Sequence, residues 1–433
     1  MSDSIKDGLL SRRDMLKATA GATVLAAASV NISKSYGQNN DTIKIATIGC
    51  GGRGTYDTKN CLAARPGVEL IAAGDLFQDR MDSFLNDVKK KAADKVKVTP
   101  ETTFVGWDAY EKVLKTDTDL VILTTPPQFR PMMFKAAVEA GKHVFMEKPV
   151  AVDPPGVRSI LETADVADQK NLKVVCGTQA RRMDHRIELA KRIQQGEIGD
   201  ILAVKCVRTG GGMLDWGIQE RKPEMTDMEW QVRRWLFHTW LSGDFITEMH
   251  IHELDIVRWM LGDAVPEKLR GLGGRQVRTD KEKYGDVFDH NSVAFDFPNN
   301  VQVFYMGNQI QGTSETTFER FYGTKGVGYT DWSGSNITGQ NPWKFEGKSN
   351  NPVITQHQQH IDAIRNNKAV NEARRVAEST MMSIAGRMSV YTSQELKYSW
   401  AKKSSKLDLT PPKYEFGPAP AVEVAVPGQT PLV

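Results

Sequence analysis

Two clusters of residues in this chain have types and spacings that chemistry needs. The first is Gly49-Cys50-Gly51-Gly52-Arg53-Gly54, which fits G-x-G-x-x-G between an apolar run and a helical pattern. The first glycine permits a tight turn, the second lets a pyrophosphate approach the backbone, and the third lets helix pack on strand, while the helix N-terminus attracts phosphate charge. Asp75, at the end of the next apolar run, offers a carboxylate to the adenosine ribose hydroxyls and repels a 2′-phosphate, which favours NAD over NADP. The second cluster is Ser242-Gly243-Asp244-Phe245-Ile246-Thr247-Glu248-Met249-His250-Ile251-His252-Glu253-Leu254-Asp255. On a helix, Glu248, His252 and Asp255 share one face, and His250 lies about 200° round from His252. That geometry gives a carboxylate-supported histidine able to take a proton, with Glu248 fixing its tautomer. On a strand, His250 and His252 would share a face as a metal-chelating pair. The helical spacing of Leu254, Val257 and Leu261 favours the helix, and no metal is expected.

Positioning these groups requires a strand before each one. From Ile43 to Cys176 short apolar runs alternate with helical patterns: strands at 43–48, 69–74, 120–124, 143–146 and 172–176, helices at 55–64, 79–90, 107–114, 131–140 and 154–168. This rhythm predicts a parallel sheet covered on both faces. Past residue 200 the runs 202–208, 292–297, 301–306 and 316–322, with a turn at Pro298-Asn299-Asn300, predict an antiparallel sheet. The expected class is therefore α/β: a Rossmann dinucleotide-binding domain over 41–180, then an α+β substrate and oligomerisation domain over 181–405 with a large open, mostly antiparallel sheet. The tail 406–433 is Pro-rich with little periodicity, and is expected to wrap a surface or a neighbouring subunit, or to be disordered.

At the fifth strand the string Gly141-Lys142-His143-Val144-Phe145-Met146-Glu147-Lys148-Pro149 resembles the Gfo/Idh/MocA family, the glucose-fructose oxidoreductase and inositol dehydrogenase relatives. Thr125-Pro126-Pro127 resembles that family's TPN turn beside the cofactor, with Pro127 for the usual Asn and Arg130 for the usual His. The 242–255 segment resembles its DxGxHxxD helix, with Glu248 for Asp and His250 for Gly. The resemblance implies that Lys148 sits where nicotinamide meets substrate, where an ammonium stabilises the alkoxide character that grows as hydride leaves. It implies His252 as base and Glu248 as its support, and cofactor contacts from Gly49, Gly51, Gly52, Arg53, Gly54, Asp75, Thr125, Pro126, Glu147 and Lys148. Substrate contacts are expected from Arg181, Arg182, Asp255, Asp289 and His290, and weaker candidates are Gln179 and an aromatic wall over Trp230–Trp240. The implied activity is NAD-dependent oxidation of a carbohydrate or polyol hydroxyl; the alternative is an NAD-dependent glycoside hydrolase or lyase working through transient oxidation, elimination and re-reduction.

Composition narrows the setting. Over 433 residues, 56 Lys and Arg against 53 Asp and Glu leave a net charge of +3 with no basic block, so no nucleic-acid partner is expected. Cys50, Cys61, Cys176 and Cys206 have no CxxC spacing, so neither a disulfide framework nor a thiolate zinc site is signalled. Ser11-Arg12-Arg13-Asp14-Met15-Leu16-Lys17 followed by the apolar run 18–30 has the layout of a twin-arginine signal over 1–37, and the run is shorter than the ~20 residues that span a bilayer. A periplasmic or otherwise exported protein with no membrane association after processing is expected. Export of a folded protein to a compartment without an NAD pool implies a tightly bound NAD recycled in place. The remaining expected partners are a small sugar or polyol and a second copy of the chain, as homodimer or homotetramer.

Overall fold

The computed structural model describes residues 42–211 and 220–433; the twin-arginine pattern lies outside them. The first half alternates as the sequence rhythm requires: β1 (Ile43–Ile48), α1 (Gly52–Ala64), β2 (Val68–Asp75), α2 (Gln78–Ala92), β3 (Thr103–Val105), α3 (Ala109–Leu114), β4 (Leu120–Leu123), α4 (Arg130–Glu139), β5 (His143–Met146), α5 (Pro154–Gln169) and β6 (Val174–Cys176). These strands form one parallel sheet in the order β3-β2-β1-β4-β5-β6. The order reverses between β1 and β4, and such a switch point opens a crevice at the carboxyl ends of the strands. Gly49 and Thr124–Pro126 follow those two strands directly.

The second half contains α6 (Asp184–Gln194), β7 (Ile201–Thr209), α7 (Asp227–Arg233), α8 (Thr239–Ser242), α9 (Asp244–Glu248), α10 (Ile251–Met260), β8 (Lys268–Gly274), α11 (Lys281–Tyr284), β9 (His290–Asp296), β10 (Gln302–Asn308), β11 (Thr316–Gly323), β12 (Gly326–Thr330), β13 (Ser335–Gly339) and β14 (Trp343–Lys344). It closes with α12 (Pro352–Arg365), α13 (Ala373–Thr392), β15 (Leu396–Lys397) and α14 (Tyr398–Lys403). A nine-stranded sheet runs β14-β13-β12-β11-β7-β10-β9-β8-β15, with β7 and β10 parallel and the other pairs antiparallel. One face is covered: Leu269, Val293, Phe295, Val303, Tyr305 and Phe321 are buried in the core that also holds Met381, Ile384 and Met388 of α13. The other face leaves Leu272, Phe304 and Met306 exposed.

α12 returns to the first sheet. Ile361 and Ile364 of α12 join the core formed by Ile43, Leu62, Val68 and Phe84, and Asp362 accepts two hydrogen bonds from Arg65.

Candidate active site

The glycine loop has the shape its spacing calls for. Gly49 takes φ +97°, and a Cβ on Gly54 would lie 2.0 Å from the Gly49 carbonyl oxygen, so α1 can sit this close to β1 only with glycine there. A Cβ on Gly51 or Gly52 would meet nothing within 4 Å. That open space lies at the N-terminus of α1, where a pyrophosphate would meet free backbone donors. Asp75 ends β2 beside it, accepting from Cys50 N at 2.5 Å and Phe77 N at 2.9 Å. Burial pushes its carboxyl upward, opposed by these amides and by Arg80. Gly51, Gly52, Asp75, Trp107, Thr125 and Pro126 line one cleft of about 460 Å³, and this donor set fits an NAD-type dinucleotide.

Arg53 also lines the cleft, but its guanidinium is turned towards the protein: Nε donates to Asp57 at 3.0 Å, and Nη2 to Glu147 at 2.6 Å and Gln179 at 2.9 Å. Burial works against its charge, yet Glu147 and Asp57 raise its pKa. Glu147, expected as a cofactor contact, is instead buried behind the cleft wall, holding Arg53 and accepting from Lys148 N at 3.1 Å. The reason is local: a carboxylate at the end of a buried strand needs a cation, and Arg53 supplies it.

Lys148 follows β5 at its carboxyl end. Its Nζ donates to the Glu248 carbonyl at 2.5 Å and to Glu248 Oε1 at 3.1 Å, both side chains being about one-tenth exposed. Glu248 Oε2 is buried without a partner among the described residues. Burial raises the Glu248 carboxyl, with Lys148 and Arg130 pulling it back. The expected pairing of Glu248 with His252 is corrected. α9 ends at Glu248 and α10 begins at Ile251, so no continuous helix sets them one turn apart, and the carboxylate goes to the nearest cation. His252 packs edge-on to Trp332, with ring centroids 5.8 Å apart. Burial holds its imidazole well below the usual histidine range, and the positive charges of Lys148, Arg208 and Arg53 push the same way. It is therefore neutral and able to accept a proton. His250 is buried, with Nδ1 2.5 Å from the Tyr305 hydroxyl and Nε2 3.2 Å from Gln309. Both its ring nitrogens are engaged within the protein, which leaves no second ligand for the chelating alternative.

The expected substrate contacts are mostly consumed by internal pairs. Arg181 grips Asp255 through Nε at 2.7 Å and Nη2 at 2.9 Å, and also Asp263 at 2.6 Å. Asp255 takes a further bond from Ser379 at 2.7 Å; burial alone would raise its carboxyl, but Arg181 and Arg375 hold it far below the ordinary range. Arg182 donates to Glu372 at 2.7 Å. These three residues tie α10, α13 and the turn after β6 together. Asp289 is buried and its Oδ2 accepts from the amides of Gln276, Val277 and Arg278, so it shapes a loop. His290 is bonded to Asp289 and lies on the open face of the large sheet, in register with exposed Ser292. Because strand side chains alternate, that placement turns it away from the core side that carries α13. The aromatic stretch 230–240 also lands differently: Trp235 lines the dinucleotide cleft, and Trp240 is buried with its Nε1 on Gln231. Sequence reasoning missed Trp107, Arg233 and Tyr414, which complete the cleft wall; nothing in their spacing marks them, since they converge only through tertiary packing.

Comparison with known proteins identifies the family and the fold. A family model described as "Oxidoreductase family, NAD-binding Rossmann fold" matches residues 43–177, and the C-terminal domain model of the same Gfo/Idh/MocA group matches 187–328. The chain is 28% identical over 251 residues to a scyllo-inositol 2-dehydrogenase (NAD(+)) of Bacillus subtilis, covering 57% of this chain and 61% of that protein. It is 30% identical over 223 residues to an inositol 2-dehydrogenase of Burkholderia lata, covering 51% and 55%. The matches thus span little more than half of these relatives' own lengths. Among solved structures, scyllo-inositol dehydrogenase from Lactobacillus casei with bound NAD(H) and scyllo-inositol superposes with a TM-score of 0.61 at 19% identity, over 83% of this chain and 99% of that one. Levoglucosan dehydrogenase with NADH and L-sorbose gives 0.66 at 15% identity, over 83% and 99%. These two share the fold.

Proposed function

Because the chain belongs to the Gfo/Idh/MocA family of oxidoreductases, with an NAD-binding Rossmann domain, we propose that it oxidises a secondary hydroxyl of a polyol or sugar. The observation that carries the reading is Lys148: an ammonium at the carboxyl end of β5, beside the switch-point cleft and bonded to a carboxylate from α9. NAD bound in the cleft supplies the hydride acceptor. Lys148 holds the hydroxyl oxygen and stabilises the negative charge that grows on it. The neutral imidazole of His252 receives the hydroxyl proton, and its lowered pKa keeps it ready to do so at neutral pH. Glu248 holds the Lys148 side chain in place. The two inositol dehydrogenase relatives support a cyclic polyol as substrate class.

The twin-arginine pattern at 11–17 supports export, and with it a cofactor that stays bound and is recycled in place. The exposed apolar residues on the large sheet support self-association through that face.

The test is to purify the protein, denature a portion to release and quantify bound nucleotide, and incubate the remainder with inositol isomers and aldoses while following absorbance at 340 nm. Bound NAD with NADH formation on a polyol is the expected result. Glycoside cleavage without NADH accumulation would replace net oxidation with the transient-oxidation reading, and failure to bind NAD would overturn both.

A further inference from the structure

The last segment of the chain comes back to the dinucleotide cleft. Residues 405–433 close on themselves, Ser405 Oγ donating to the Val433 carbonyl at 2.6 Å. The outgoing limb is fixed by Leu409 N donating to Asp153 at 2.9 Å, the returning limb by Gly428 N donating to the Thr392 carbonyl at 3.0 Å. Between them the tip reaches the cleft. Tyr414 lines it, stacks on Trp107 at 6.1 Å between centroids, meets Phe129 edge-on at 5.5 Å, and accepts from Gln128 Nε2 at 3.2 Å. Gln128 belongs to the turn that carries Thr125 and Pro126. Phe416 packs on Trp107 at 5.5 Å and Phe77 at 6.1 Å. The carbonyls of Gly417 and Pro420 accept from Met228 N at 3.0 Å and Gln231 Nε2 at 2.9 Å, both on α7. The tip is therefore fastened to the Rossmann sheet on one side and to the second half on the other.

A second contact spans the same mouth. Arg233, at the end of α7, donates from Nη1 and Nη2 to Asp79 of α2, each at 3.1 Å, and its guanidinium lies 3.9 Å over the Phe77 ring. Phe77 and Asp79 follow Asp75, the residue placed to hold the adenosine ribose, so the covered end of the cleft is the adenosine end.

We propose that the C-terminal tip and the Arg233–Asp79 pair complete the dinucleotide site by closing its adenosine end. The ligand class is an adenine nucleotide, with Phe77, Trp107 and Tyr414 as aromatic walls for the base and Asp75 for the ribose. This rests on the dinucleotide reading above and deepens it: the cofactor is held from outside as well as by the glycine loop, and it leaves only when these contacts open. The consequence is a slow release rate.

The experiment loads the full-length protein with radiolabelled NAD and chases it with excess unlabelled NAD. Tyr414→Ala with Phe416→Ala is expected to release label about tenfold faster or more than the unaltered protein. Arg233→Glu is expected to speed release as well, and adding Asp79→Arg to restore slow release, a rescue that general destabilisation would not produce. If the alanine pair does not fold, the charge swap alone decides. Release rates equal to the unaltered protein in all folded variants would overturn the closure while leaving the dinucleotide reading intact. No uptake of NAD by the unaltered protein would overturn both.

Discussion

In the proposed mechanism Lys148 and His252 divide the work by charge, and their surroundings set that division. Lys148 shares its ammonium with Glu248 before any substrate arrives, so an incoming hydroxyl joins an existing hydrogen-bond pair and need not organise a free side chain. Replacing Lys148→Met should lower kcat/KM by about 10²–10³ while NAD binding, measured by fluorescence titration, stays unchanged. Replacing His252→Ala should cost about 10²–10⁴. On the proposed mechanism the histidine also sets the acid limb of the pH profile. Its pKa is depressed, so it stays deprotonated as pH falls past the ordinary value of about 6.5, and kcat/KM should hold below that point before it drops. A limb centred at or above pH 6.5 would assign the base to another group. The positions of the glycine loop, Asp75 and Lys148 were legible in the sequence because each lies in a local conformation or at a strand end. The Glu248 partnership was not, because it depends on the chain breaking between α9 and α10 at Met249 and His250. Arg181 and Asp255 misled for a related reason: charged residues beside a site look available until their mutual pairing is visible.

At the scale of elements, the β1–loop–α1 unit separates two kinds of glycine. Gly54 is needed by the protein itself, since a side chain would strike the Gly49 carbonyl and, at 2.8 Å, Thr124 Oγ1. At Gly52 a side chain would meet no protein atom within 4 Å, so there the proposed dinucleotide, not the fold, sets the need for glycine. Gly54→Val should therefore cost about 1–3 kcal/mol of stability or more and show it in a lowered melting temperature without cofactor. Gly52→Val should leave that melting temperature unchanged while abolishing NAD binding by calorimetry. Equal melting losses in both variants would mean that the space at Gly52 is not a ligand site. The elements that escaped the sequence reading are those shaped by neighbours. β8 reads Lys268-Leu269-Arg270-Gly271-Leu272-Gly273-Gly274, poor in strand formers, yet it is a strand because its glycines let α13 approach. A Cβ on Gly271 would sit 2.6 Å from Val390, and Gly271 N donates to Ser389 Oγ at 2.7 Å. The tail 407–433 has no periodicity to announce it, and its order comes from hydrogen bonds to α7, Gln128 and Asp153.

For the whole molecule, burial has been applied to histidine almost throughout. Of the eight histidines in the chain, seven have depressed pKa values: His143 and His185 fall to about 4, His238, His357 and His360 to about 3, and His250 and His252 lie well below the usual range. Desolvation is the largest cause in each, since these rings sit in the cores or between the two sheets, where a positive charge loses its water. The sign of the consequence follows from proton counting. In the unfolded chain these rings protonate near pH 6.5, while in the folded chain they stay neutral to about pH 4 or below, so between those values the unfolded state binds more protons. Stability is therefore lost as pH falls through that window, by at most about 1.4 kcal/mol per histidine per pH unit. Buried carboxyls act in the opposite direction: burial raises Asp57, Asp244 and Asp286 to about 6 and Glu319 to about 8, and lifts Asp75, Glu147, Asp153 and Glu248 as well, so their protonation favours the fold. Seven depressed histidines and eight raised carboxyls therefore oppose one another, so the histidine share is read by removing a single ring and comparing melting temperatures between pH 6.5 and pH 4. His357 offers the sharpest single check, because it is fully buried, neither ring nitrogen has a hydrogen-bond partner among the described residues, and its ring lies tilted 4.4 Å from that of Phe145. His357→Phe removes one titrating ring without removing an internal hydrogen bond, so its melting temperature should gain on that of the unaltered protein as pH falls from 6.5 to 4. A slope identical to the unaltered protein would show that His357 is not among the groups driving acid unfolding.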